Sequence, residues 1–231
     1  MQANSSSADR IREKKKLFLA REQRIIDAAI ELFLEESIDR ITVSKIAVRA
    51  GIGKGTIYKH FLTKNEILIR IILDYEQNIT TKLNDGIKRA EAGDSGSAAK
   101  SYFQARLENP KLDRLIQQLE DRLVESDDVI DQIEQLHKLR RSNEDALTGL
   151  MTTLIDRDVL ENVPPHFHYL ACWALAQGAV ELYFTKTWNY RTDNAELMEF
   201  IANIGVTMGN KGQYHPEETD PNKKSKLLWT A

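Results

Sequence analysis

Cysteine is almost missing from this 231-residue chain, with Cys172 the single example. A lone cysteine excludes an intrachain disulfide framework and any multi-cysteine zinc site. Its neighbours Ala171 and Trp173 suit packing better than nucleophilic chemistry. Proline is sparse, at 5 residues, and aromatics make up 7%. No apolar run approaches the about 18 residues that a membrane span requires. The opening stretch 1–16 is polar and lacks the hydrophobic block of a secretory signal, so a cytoplasmic protein without a membrane partner is expected. There is no internal repeat and no sustained alternating strand pattern, which leaves an all-α fold. What is present, 42% hydrophobic and 29% charged residues, describes a globular chain able to bury a sizeable core.

Charge is unevenly placed. Residues 1–70 carry 14 Lys or Arg and 9 Asp or Glu, whereas the remainder carries 18 and 26, so a front end of +5 sits on a body of −8. Such a front end suits a polyanion, and the body is kept away from it. Arg10, Arg12, Lys14, Lys15, Lys16 and Arg21 concentrate the positive charge ahead of the first strong apolar pattern. Residues 1–20 are expected to form a flexible basic arm, the alternative being a solvated charge run that extends the first helix.

From Arg24 onward the pattern becomes specific. Ile25, Ala29, Leu32 and Phe33 recur at the spacing of a helix with one buried face. Thr42 can cap a second, short helix whose apolar stripe is Val43, Ile46, Ala47 and Ala50. Gly51-Ile52-Gly53 then supplies a tight turn, with Gly51 able to take the left-handed conformation and Ile52 able to plug the gap. Two helices joined so closely must cross steeply. A third helix, predicted over 54–61, has only Ile57 and Phe61 as core anchors and cannot fold alone. Its polar residues form a reading surface carried by the first two helices.

Thr42-Val43, Ile46-Ala47, Ala50-Gly51-Ile52, Lys54-Gly55-Thr56-Ile57-Tyr58, His60-Phe61 and Lys64 together resemble the signature of the tetracycline-repressor (TetR) family of bacterial regulators. The resemblance covers about a fifth of the chain. Gly53 stands where a serine is common, which removes a hydroxyl that could bind phosphate. Ser37-Ile38 replaces a common glycine-aromatic pair and alters only the exit from the first helix. The resemblance implies an N-terminal three-helix DNA-binding domain with a helix-turn-helix, 21–68, and a larger helical effector-binding and dimerisation domain, 69–210, followed by a polar tail, 211–231. It implies a homodimer on palindromic double-stranded operator DNA, released by a small-molecule effector of hydrophobic or aromatic character.

DNA offers phosphates for positioning and base edges for discrimination. Lys54 opens the recognition helix and is the first choice for a guanine contact. Gly53 and Gly55 allow close backbone approach, and Thr56 can touch a base or a thymine methyl. Thr42 at the start of the second helix can face a phosphate. Lys45 opposes the dipole of that helix at a cost of about 0.3–1 kcal/mol, which a phosphate would offset. Tyr58, Lys59, His60 and Lys64 resemble family positions that contact phosphate.

In the body, a long helix from Lys64 and Asn65 toward Ala92 links the two ends of the molecule. Further helices are predicted near 98–107, 112–125, 129–155, from Pro165 through Tyr183, and from Asn194 to a stop at Gly209-Asn210. Tyr102, Phe103, His137, Phe167, Tyr169, Trp173, Gln177, Tyr183 and Phe184 combine aromatic area with polar groups and are the candidate effector-pocket residues. Ala171, Ala174, Gly178, Ala179, Phe200, Ile201 and Ile204 are candidates for the dimer interface.

No enzyme or cofactor is expected. Gly51 to Gly55 follows a helix rather than a strand and fits neither standard phosphate-loop pattern. His60, His137, His166, His168 and His215 are scattered, and no nucleophile stands with a base. Occupying a promoter needs no polymerase contact, which favours repression. The alternatives are an activator of the same fold and a helical interaction protein without DNA binding.

Overall fold

The computed structural model describes residues 7–124, 126–185 and 194–212. Among them the helices are α1 (Ser7–Glu35), α2 (Val43–Arg49), α3 (Lys54–Ile57), α4 (Lys64–Glu91), α5 (Ser97–Leu107), α6 (Pro110–Leu123), α7 (Ile130–Asp156), α8 (Pro165–Phe184) and α9 (Asn194–Thr207). Short 3₁₀ turns lie at Ile38–Arg40 and Asp127–Val129. The described residues contain no strand, only an isolated bridge between Leu160 and Asn210.

Helix ends follow local chemistry. Thr42 caps α2 by accepting a hydrogen bond from the Lys45 amide at 3.2 Å. Gly51, at φ +63°, closes α2, with its amide donating to Val48 O and that of Ile52 to Ala47 O, the Schellman pattern. Thr63 caps α4 through the Glu66 amide, and the Glu66 carboxylate returns to the Leu62 amide at 2.5 Å. Asn109 caps α6 with Pro110 in its first turn.

Two expectations are corrected. The arm foreseen over 1–20 as flexible is helical from Ser7 and continues α1 without a break. Its basic side chains space themselves around a helix, and Leu17, Phe18 and Leu19 give it apolar surface. The third helix is shorter than 54–61. It ends at Ile57, and turns at Tyr58 to His60 carry the chain to Phe61. The final tail beyond Gly212 lies outside the described residues.

One apolar cluster joins α1, α2, α3 and the first half of α4 (Ile67, Leu68, Ile71, Ile72) to Leu115, Ile116, Leu119 and Leu123 of α6. A second joins the far half of α4 (Leu83, Ile87, Ala90) to Ala98 of α5 and Leu150, Met151 and Leu154 of α7. A third packs Ala179 of α8 against Met198 and Ile201 of α9. Helix α4 therefore belongs to two cores, and between its contributions to them lies a cavity.

Candidate functional site

Charged side chains hold the small N-terminal unit together at its joints. Arg24 of α1 donates to the carbonyl of Ala50 at 2.6 Å, at the turn into α3. Arg49 of α2 reaches back to Glu35 at 2.6 Å and Glu31 at 3.2 Å on α1. That hydrogen bond holds the Glu35 carboxyl below its usual range. With α2 clamped on two sides, α3 presents an outward face. Lys54 and Lys59 are exposed and, among the described residues, enter no ion pair. The Lys54 ammonium lies 5.9 Å from the centre of the Tyr58 ring, itself 42% exposed. A Cβ added at Gly55 would meet nothing within 4 Å. Thr42 and Lys45 flank this face, with the Lys45 ammonium 2.8 Å from the Glu36 carboxylate. Of Thr42, Lys45, Gly53, Lys54, Gly55, Thr56, Tyr58 and Lys59, Lys54 and Lys59 carry charge that enters no ion pair among the described residues, Lys45 is paired, and the exposed glycines add no side-chain bulk.

His60 and Lys64 depart from the phosphate-contact role expected of them. The turn after α3 swings the His60 side chain inward, where it is 3% exposed. Its ring stacks 4.0 Å from that of Phe18, and Nδ1 sits 3.8 Å from the Glu22 carboxylate with no hydrogen bond of its own. Lys64 is half-buried. Its ammonium donates to the carbonyl of Ile38 at 2.5 Å and lies 5.8 Å from the Phe33 ring centre. Desolvation lowers its pKa. Both residues bind neighbouring elements together.

The body holds a cavity of about 490 Å³ bounded by α4, α5, α6, α7 and α8. Tyr102, Tyr169, Trp173 and Gln177 line it as foreseen. Five foreseen residues do not. Phe103 is fully buried against Gly205 of α9, where an added Cβ would meet its ring at 2.1 Å. His137 is exposed on α7, and Phe167 is half-exposed near the start of α8. Tyr183 and Phe184 pack against each other at the end of α8, with the Arg114 guanidinium 4.4 Å from the Phe184 ring centre. Aromatic area alone does not report direction: each of these rings finds a place on another face of its helix.

The polar lining was missed. Asp113, 2% exposed, accepts from Arg106 Nε and from Arg106 Nη2 at 2.9 Å, from the Tyr75 hydroxyl, and from Gln117 at 3.0 Å. Arg106 also donates to the Tyr102 hydroxyl at 2.8 Å and to Gln177 at 3.1 Å, while the two glutamine amides bond reciprocally. Burial opposes the charge on Arg106, but its bonds to Asp113 together with the neighbouring Tyr102 and Tyr75 hydroxyls offset this and raise its pKa. Burial and the adjacent Asp113 raise that of Tyr75. Nearer the reading unit, Arg140 of α7 bridges Glu76 at 3.0 Å and Glu120 at 2.6 Å. One signal was available in the sequence: Ile72, Glu76, Ile79 and Leu83 share a helical face, so a carboxylate interrupts an apolar stripe.

On α8 and α9, Ala171, Ala174, Gly178, Phe200 and Ile204 are exposed, Phe200 by 62%. Ala179 and Ile201 are instead buried within the subunit, so these two leave the set of interface candidates. Among the described residues no group of three His, Cys, Asp or Glu is placed to hold a metal ion, and no helix is long and apolar enough to cross a membrane.

Residues 25–71 match the model described as bacterial regulatory proteins, tetR family. The chain is similar to the nucleoid occlusion factor SlmA of Haemophilus ducreyi, 26% identical over 199 residues that cover 74% of this chain and 98% of that protein. Other curated regulators, 38% to 42% identical, match over only 50 to 65 residues and 24% to 37% of their own length. In fold it resembles the TetR-family regulator PfmR of Thermus thermophilus, with a TM-score of 0.63 and 19% identity, covering 79% of this chain and 97% of that one. It also resembles the regulator FadR of Bacillus subtilis, solved with stearoyl-CoA, with a TM-score of 0.59 and 22% identity, covering 84% and 100%.

Proposed function

We propose that this chain, a member of the tetR family of bacterial regulatory proteins, is a ligand-responsive repressor that binds a palindromic operator as a homodimer and leaves it when a small molecule fills the body cavity. The observation that carries the reading is the position of α4. Its first half packs the reading unit through Ile67, Leu68, Ile71 and Ile72, and Tyr75, Glu76, Ile79 and Leu83 then line the cavity. Helix α6 repeats the arrangement, with Asp113, Gln117 and Glu120 at the cavity, Leu119 and Leu123 in the reader's core, and Arg122 paired to Asp39 at 2.7 Å. A ligand that favours one packing of α4 and α6 thereby biases the attitude of the reader, and its effect on DNA equals its differential affinity for the two packings.

Lys54 and Thr56 are assigned to base edges, and Thr42, Lys45, Tyr58 and Lys59 to phosphates. The α8 and α9 face, with Phe167, Leu170, Leu182, Phe200 and Ile204 exposed around small residues, is assigned to the second copy. Selection of bound duplexes from random DNA tests the whole reading: a palindrome with half-sites about one helical turn apart is expected. Recovery of no sequence, or sedimentation as a monomer at about micromolar concentration, overturns it.

A second reading follows from the alignment with SlmA, which runs across nearly all of that protein. In this reading the same reader serves nucleoid occlusion, as that relative's name states for it, in place of the control of a promoter. Mapping bound sites in cells separates the two, since promoter-proximal sites belong to the first reading and dispersed intragenic sites to the second.

A further inference from the structure

The cavity's charge does not balance. Glu76, Asp113, Glu120 and Glu144 line it, against only Arg106 and Arg140. Asp113 and Arg106 neutralise each other through their paired hydrogen bonds. Arg140 is shared, with Nε given to Glu76 and both terminal nitrogens to Glu120, so two carboxylates divide one cation. Glu76 is 8% exposed, and among the described residues its Oε1 accepts no hydrogen bond. Glu144 follows Arg140 by one turn of α7, and its carboxylate has no partner among the described residues. Two negative charges are left over on the lining: Glu144 is exposed to solvent, and Glu76, nearly buried and sharing Arg140 with Glu120, is the carboxylate whose charge water compensates least.

We propose that the ligand of this cavity is an amphipathic organic cation whose charge lies among Glu76, Glu120 and Glu144. Its apolar part has Ile79, Leu83, Leu147 and Met151 to lie against. Tyr169 and Trp173 add aromatic faces of the kind that hold quaternary cations, whereas the Tyr102 ring is already occupied by the Arg106 guanidinium at 5.7 Å. A polyanionic ligand such as the stearoyl-CoA carried by the Bacillus subtilis regulator has the wrong charge for this lining. The volume fits a drug-sized molecule. This inference rests on the cavity being the effector site of the proposed regulator.

Three probes of similar shape and different charge test it on the full chain: methyltriphenylphosphonium, triphenylphosphine oxide and methyltriphenylborate, titrated without DNA and followed by calorimetry, with tryptophan fluorescence compared between the parent and Trp173→Phe to isolate the signal of the cavity. The phosphonium is expected to bind saturably and at least about tenfold more tightly than the neutral oxide, with the borate weaker still. Glu144→Gln, which removes a charge without partners, should fold as the parent does and cost the phosphonium about threefold. Glu120→Gln with Glu144→Gln removes the surplus and should bring phosphonium and oxide within about threefold of each other. Equal binding of oxide and phosphonium by the parent, an unchanged ratio in the double variant, or no saturation by phosphonium below about 1 mM overturns the proposal. Failure of the regulator reading looks different. A chain that prefers the cation but selects no duplex supports the ligand class and removes the regulator, and a chain that selects a palindrome but ignores the charge of the probe does the reverse.

Discussion

The reading unit and the body cavity spend their charged residues in opposite ways. At the reader, Arg24, Arg49, Glu31 and Glu35 are consumed in joints between helices, and the lysines left over, Lys54 and Lys59, stand in solvent. At the cavity the charges point inward, the acidic groups outnumber the basic ones, and the central pair is almost fully buried. Exposed ions cost little while they wait for a polyanion, since water solvates them. Buried ions persist only where partners replace that water. The exposed residues of the reading face can therefore be exchanged with little harm to the fold, whereas an exchange at the buried Arg106–Asp113 pair acts on fold and function together.

The largest expected effect breaks the buried pair. Asp113→Ala leaves Arg106 without its carboxylate and frees Tyr75 and Gln117, and a loss of about 3–5 kcal/mol in denaturant unfolding is expected. Glu35→Ala, which opens an exposed pair at the reader, should shift the same midpoint far less. Similar shifts for both would remove the contrast between the two regions.

At the reader the expected loss is in recognition. Lys54→Ala should weaken the selected operator about ten- to a hundredfold while changing random DNA little. Lys59→Ala should weaken both alike and reduce the salt slope by about one. Titrations at several salt concentrations separate the two, and equal losses across sequences for Lys54→Ala would withdraw it from base reading. Lys64→Met, in contrast, should leave the salt slope unchanged and lower stability, because that ammonium is bonded to the Ile38 carbonyl.

Two glycines sharpen the comparison further. Gly205→Ala drives a methyl to within 2.1 Å of the Phe103 ring, which is fully buried and cannot yield, so about 1–3 kcal/mol of stability should be lost. Gly55→Ala meets nothing in the chain and gains helix propensity, so stability should hold or rise by up to about 1 kcal/mol. Its methyl lies on the reading face, and DNA affinity should fall. Thermal melting and DNA titration of both variants check the crossing of effects.

How much of this was legible in the sequence follows from the range of the interactions. The cap at Thr42, the left-handed Gly51 and the Asn109-Pro110 start of α6 are local, and their residues announce them. Helix α1 was read too late because its first part is polar, and α3 too far because Tyr58 and His60 continue an apparent helical pattern. Long polar side chains were harder still. Lys64 finds a carbonyl 26 residues away and Asn143 a hydroxyl 63 residues away. Periodicity reports which face is apolar, but not which distant group a flexible chain will reach.

The smallest effect concerns Cys172, which lines the cavity and whose thiol is pushed up to about 11 by burial. Its raised pKa means that the folded chain keeps the proton where an unfolded one has begun to lose it. Whatever stability this supplies is present below the unfolded thiol's range near pH 9 and is lost as pH rises toward 11. At pH 8 only about a thousandth of the thiol is ionised, and because the thiolate is the nucleophile, alkylation by iodoacetamide should be far slower than for a free cysteine and should rise about tenfold per pH unit. Lys54 and Lys59 stand in solvent, so the contrast between the exposed reading face and the half-buried thiol is drawn within a single chain. Alkylation of Cys172 at the rate of a free thiol at pH 8 would mean that water fills the cavity, and Glu76 there would then be solvated as the exposed Glu144 and the lysines of the reader are.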